Sequence, residues 1–193
     1  MFENLEKYHI ILASNSPRRR ELLGGLGISF EVKVLPDIEE NYPEGLSVAQ
    51  IAEYIAKEKA DAYRKMMAPN DLIITADTIV VADDEVMGKP VDAVDAQRML
   101  RKLSGKAHQV ITGVCLMTTE RQCVFSVTTD VTFKQLTDEE IDYYVKTYRP
   151  FDKAGAYGIQ EWIGYVGVTG LNGSYFNVMG LPVQRIYQEL AAF

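Results

Sequence analysis

The chain has 193 residues, 47% of them hydrophobic, and a formal net charge of −7. That is enough apolar side chain for a core without disulfides or a metal staple, and no run approaches the roughly 18 uninterrupted apolar residues of a membrane span. The acidic balance argues against a broad nucleic-acid-binding face, yet leaves room for a small anion in a local basic pocket.

In chain order, MFENLEKYHIILAS places acids ahead of a short apolar run and lacks a basic leader, so it does not read as a signal peptide. YHIILA, residues 8–13, reads as a buried strand feeding a helix at 17–26, with Ser16 as N-cap and Pro17 at the first helical position. ISFEVKVL predicts a second strand, and PDIEENYPEG a loop. Ser47 with Gln50 three residues on forms a capping box, opening a helix that runs to about Met67.

DLIITADTIVVADDEVMGKP reads as two strands with a turn at Asp83-Asp84, followed by a helix from about Asp92 to Leu103. Two long strands come next, with a polar turn near Thr119 to Gln122. Thr137 and Glu140 mark a second capping box and a helix to about Thr147. The stretch from Arg149 to Pro182 predicts strand and loop, and PVQRIYQELAAF a closing helix. The expectation is an α/β fold, a single elongated domain over residues 1–193 with a mixed sheet flanked by helices. Cys115 and Cys123 match no metal spacing and read as reduced core thiols of a cytosolic protein, while His9 and His108 are too few for a histidine zinc site.

Five features carry chemistry. Arg18, Arg19 and Arg20 crowd positive charge into a helix start that is already partially positive, where stability alone favours Asp or Glu. An anion held there by backbone N–H groups, Arg18 and Arg19 removes that conflict, and the small residues Ala13, Ser14, Asn15 and Ser16 let a phosphate approach. The pattern lacks the glycines and the Gly-Lys-Ser/Thr ending of a Walker A loop. Asp77 interrupts LIITADTIVV, a run fit for burial on both faces, so it needs a metal, a cation or backbone donors as partner.

Lys59 ends the apolar stripe Val48, Ile51, Ala52, Ile55, and either snorkels to solvent or points its ammonium inward. Glu39 and Glu40 lie in the acidic loop, which is either a solvated surface or a source of carboxylate oxygens for magnesium. Lys89 sits beside a stiffening proline in MGKP. Together these are parts for metal-assisted attack at phosphorus.

LASNSPRRRELL, ADTIVV with the downstream GKP, LSGKAHQVITGV, and DKAGAYGIQ with GSYFNVMGLP resemble the Maf family of nucleoside triphosphate pyrophosphatases, from about residue 10 to 190. The resemblance implies a Maf/ITPase-like fold with a twisted mixed sheet. It also implies hydrolysis between the α and β phosphates, a divalent cation (Mg2+ or Mn2+), a cytoplasmic location and a possible homodimer, in a house-cleaning role. By position it makes Asp77 the catalytic base or a metal ligand, Glu40 the second acid, Lys59 and Lys89 the site lysines, and Ser14, Arg18 and Arg19 the phosphate-binding helix start.

AYGIQ resembles the subgroup acting on dTTP and UTP, with Arg18, Thr78 and Gln160 at the discriminating positions. A Gln160 carboxamide can pair with N3–H and O4 of uracil or thymine, although guanine offers the same pattern and must be excluded by pocket size. The chain departs from the family pattern at Thr75, where glycine is more usual before the Ala-Asp, and at Glu161-Trp162 after the glutamine. The alternatives are a Maf-type enzyme for a modified nucleotide such as 7-methyl-GTP, or a non-catalytic nucleotide sensor that regulates cell division.

Overall fold

A computed structural model describes residues 3–36, 38 and 40–193. Strand β1 (His9–Leu12) buries its last three residues. It leads into α1 (Pro17–Gly24), where the Ser16 side chain accepts from the Arg19 N–H at 3.4 Å. The predicted second strand shrinks to β2 (Glu31–Val32). Beyond it, Lys33 N–H still donates to the Leu12 carbonyl, and then the Tyr63 hydroxyl takes over from the sheet. It donates to the Lys33 carbonyl at 2.9 Å and accepts from the Leu35 N–H at 3.0 Å.

Helix α2 (Val48–Asp61) starts with the Ser47–Gln50 capping box. It stops before the predicted Met67. The Asp61 carboxylate is taken by Lys57 and Arg64, Tyr63 turns into the core, and residues Arg64–Met66 tighten to a 3-10 turn. Strand β3 (Asp71–Ala82) and β4 (Glu85–Met87) pair antiparallel through Asp83 and Asp84. Both turn residues have positive φ, 49° and 60°, as a two-residue type I′ hairpin requires.

Asp92 caps α3 (Ala93–Leu103). Strands β5 (Ala107–Met117) and β6 (Gln122–Phe133) precede α4 (Asp138–Tyr148), which opens with the Thr137–Glu140 capping box. The stretch from 149 to 182 is not only strand and loop: besides β7 (Val168–Asn172) it holds α5 (Trp162–Gly167) and α6 (Tyr175–Met179). Helices of six and five residues are too short to print a 3.6-residue period on the sequence. Helix α7 (Val183–Leu190) closes the chain.

The strands form a seven-stranded sheet in the order β2-β1-β3-β5-β6-β7, with β4 paired to β3. β1 is parallel to β2 and β3, whereas β6 and β7 are antiparallel, so the sheet is mixed and the fold α/β as expected. The chain divides into two compact units: residues 1–77, 112–127 and 180–193, and residues 78–111 and 128–179. Three of the four exchanges fall inside β3, β5 and β6 rather than in linkers.

The first unit packs Ile11, Ala56, Ala60, Tyr63, Ile73, Cys115 and Met117 together. In the second, Leu100, Leu103, Val131, Phe133, Tyr144 and Ile163 are among the fully buried side chains. Both cysteines are free thiols, and burial raises the pKa of each, that of Cys115 to about 12. Among the described residues no helix is long and apolar enough to cross a membrane.

Candidate functional site

In the first unit the site is built on a close seat of helix on strand. Gly113 of β5 lies against the α2 backbone, where a Cβ would stand 2.2 Å from the Ala52 carbonyl atoms. Ile51, Ala52 and Ile55 are buried on that face, and Lys59 follows one turn on, its side chain 14% exposed. The ammonium points inward. Lys59 Nζ lies 2.7 Å from Asp77 Oδ1 and 2.8 Å from Glu40 Oε1.

The partner of Asp77, buried in the middle of β3, is therefore a cation. Glu40 reaches the same ammonium from the loop, about half exposed, while Glu39 lies outside the described residues. Two carboxylates thus converge on one point. A magnesium-sized ion prefers hard oxygens and usually takes one or two carboxylates, with substrate phosphates and water completing its shell. This pair fits that pattern. Among the described residues no three His, Cys, Asp or Glu side chains gather into a closed metal site.

Arg19 does more than wait at a helix start. Its Nε donates to the Gly180 carbonyl and its Nη1 to the Ala76 carbonyl, each at 2.8 Å, tying α1 to the residue before Asp77. Burial lowers its pKa, with Asp77 and Glu40 opposing and Arg18 reinforcing. Arg18 is half-buried in the same field. Ser14 is buried and its Oγ accepts from the Ser16 N–H at 3.2 Å, shaping the turn into α1. Ser14, Arg18, Arg19, Glu40, Lys59 and Asp77 all belong to the first unit, and its three cations face two carboxylates.

Thr78, Lys89 and Gln160 belong to the second unit. Thr78 is half-buried on β3, and Lys89 is exposed in the segment after β4. The Gly155 N–H donates to the Gly88 carbonyl at 3.0 Å, fastening the residue before Lys89 to the 3-10 turn Ala154–Ala156. Gln160 is half-buried, and its Oε1 is enclosed with no hydrogen-bond partner among the described residues. Trp162 packs on the second core and meets Tyr143 edge to face, centroids 4.8 Å apart.

Sequence reasoning passed over Tyr63, Tyr144 and Lys153, and noted Glu161 only as a departure from the family pattern, although all four support these groups. Tyr63 fastens the chain upstream of Glu40, and Lys153, Tyr144 and Glu161 join one another beside Gln160. A lysine inside DKAGAYGIQ and an acid where the family pattern has glycine were the available signals.

The chain matches a family model described as Maf-like protein over residues 9–193. It is 68% identical to a protein of Phocaeicola vulgatus and 60% identical to one of Bacteroides thetaiotaomicron, each match covering 98% of both chains. It is also 59% identical to one of Parabacteroides distasonis over the whole of both. All three carry the name dTTP/UTP pyrophosphatase. Among solved structures, a HAM1 protein from Coxiella burnetii shares the fold with a TM-score of 0.52 at 15% identity, over 96% of this chain and 100% of that one.

Proposed function

This chain belongs to the Maf family, and we propose that it hydrolyses dTTP and UTP to the nucleoside monophosphate and pyrophosphate. The observation that carries the chemistry is the buried Asp77 carboxylate held with Glu40 on the Lys59 ammonium. An enclosed carboxylate fixed by a salt bridge beside a cationic helix start suits a group that takes a proton where phosphate charge develops. The names of the relatives support the substrate.

Arg18 and the α1 start take the triphosphate, and Lys89 is the second site lysine. Arg19 holds α1 against the carbonyl before Asp77 and adds to the field. Glu40 and Asp77 would hold a magnesium or manganese ion, which supplies charge neutralisation on the phosphate oxygens. Water attacks the α-phosphorus, the bond from that phosphorus to the α–β bridging oxygen breaks, and pyrophosphate leaves. Asp77 Oδ1 stays on Lys59, and Oδ2 accepts the proton of the attacking water. Lys59 holds both carboxylates in place. Thr78 and Gln160 face the nucleoside, Gln160 pairing with N3–H and O4 of the base. The protein works in the cytoplasm, and a homodimer is its proposed assembly.

The test is pyrophosphate release from dTTP, UTP, CTP, GTP, 7-methyl-GTP and ATP, with magnesium or manganese, for the wild type and Asp77→Asn. Turnover confined to dTTP and UTP and lowered at least 1,000-fold by Asp77→Asn is expected, on the order of losing a transition-state proton acceptor. A preference for 7-methyl-GTP overturns the base assignment. Binding of dTTP with no turnover on any substrate makes the chain a nucleotide sensor instead.

A further inference from the structure

Gln160 is gripped through its neighbours. Tyr144 of α4 is fully buried, and its hydroxyl accepts from the Gly158 N–H at 2.9 Å while donating to the Glu161 carboxylate. The other oxygen of Glu161 lies 3.1 Å from Lys153 Nζ, and that ammonium also meets Asp152 at 2.8 Å. Lys153 is itself buried. One tyrosine therefore holds the residue two before Gln160 and, through Glu161, the residue after it.

The side chain is held as well. A Cβ at Gly158 would stand 2.9 Å from Lys153 Cε and 3.0 and 3.2 Å from the two terminal atoms of the Gln160 carboxamide. The carboxamide lies over the bare Gly158 Cα, beside the lysine stem, with Oε1 enclosed and unpaired among the described residues. An enclosed acceptor without a partner is a group prepared for one.

What such a grip controls is orientation. A carboxamide free to turn over reads cytosine as readily as uracil, because exchanging its C=O and NH2 exchanges the acceptor and donor it offers. Cytosine presents an acceptor at N3 and a donor at its 4-amino group, the reverse of uracil. We infer that Tyr144, Glu161 and Lys153 are positioning residues that hold Gln160 in one orientation and thereby make the site discriminate uracil and thymine from cytosine. The inference rests on the reading that Gln160 pairs with the base.

The experiment compares kcat/KM for UTP and CTP in the wild type, Tyr144→Phe, Glu161→Gln and Gln160→Ala, with melting curves to confirm folding. Tyr144→Phe keeps the ring and loses only the hydroxyl. Glu161→Gln keeps the shape and loses the charge that holds Lys153, so it stands in if Tyr144→Phe does not fold. The expected result is a UTP-to-CTP ratio about tenfold lower in both, the CTP value rising while kcat for UTP stays within threefold. A merely structural role lowers both substrates together and leaves the ratio alone, which overturns the inference. A ratio kept by Tyr144→Phe and Glu161→Gln but lost in Gln160→Ala overturns the positioning role and leaves the base contact standing. A wild-type ratio that survives in Gln160→Ala, or that is near one from the start, removes both.

Discussion

Lys59 and Asp77 depend on each other in a way that two substitutions separate. Asp77→Asn leaves a neutral amide of the same shape beside Lys59, so turnover falls steeply while the melting temperature moves little. Lys59→Met leaves Asp77 as a buried charge with its cation gone, which costs on the order of 3 kcal/mol. The double variant Lys59→Met with Asp77→Asn removes that uncompensated charge, and it melts above Lys59→Met alone; a double variant no more stable than Lys59→Met refutes the pairing. His108 is legible in the same terms. It is buried with Nε2 2.7 Å from the Tyr157 hydroxyl and its ring edge-on to Phe133 and Tyr157, and burial lowers its pKa from 6.5 to about 4. The unfolded chain therefore takes up that proton first, and stability falls as pH drops from about 6.5 toward 4, by roughly 3 kcal/mol in total. His108→Phe flattens that limb of a melting-temperature-against-pH curve.

At the scale of elements, the sequence announced what stereochemistry writes locally and hid what tertiary contact decides. The serine and threonine capping boxes and the Asp83-Asp84 turn were readable because a cap or a turn is a property of four adjacent residues. The shortness of β2 was not readable, since it depends on Tyr63, 28 and 30 residues away from its two backbone partners. Tyr63→Phe removes both bonds while keeping the ring. The expected cost is about 1–2 kcal/mol, with faster amide exchange at Leu35 and a rise in the metal concentration needed for half-maximal turnover, because Glu40 lies just downstream. Unchanged metal dependence would separate the clamp from Glu40. Gly113 was equally silent in sequence, a glycine within a strand run. Gly113→Ala would drive a methyl into the α2 backbone at Ala52, and a loss of at least 3 kcal/mol or failure to accumulate as folded protein follows.

For the whole molecule, composition and the resemblance reached the fold class and the family. Length allowed an elongated domain with two lobes, but the boundaries between the two units were invisible, because three of them are peptide bonds in mid-strand and change neither composition nor hydropathy. The arginine crowding of α1, by contrast, was visible and has a consequence for the entire fold. A chain of net charge −7 keeps three cations against two carboxylates in one place, and positive charge at a helix start opposes the helix dipole. Filling that place with an anion therefore stabilises the native state by mass action. Inorganic pyrophosphate at 100 times its Kd should add about 2.7 kcal/mol, a rise in melting temperature of roughly 5–10 °C for a chain of this length. Arg18→Ala divides the effect from the scaffold. In that variant the pyrophosphate shift should shrink by more than half, with the empty protein measured alongside as its own reference. If Arg18 served the scaffold instead, the empty variant would melt lower and the shift would persist. Raising ionic strength should weaken the wild-type shift, because part of the attraction acts through solvent.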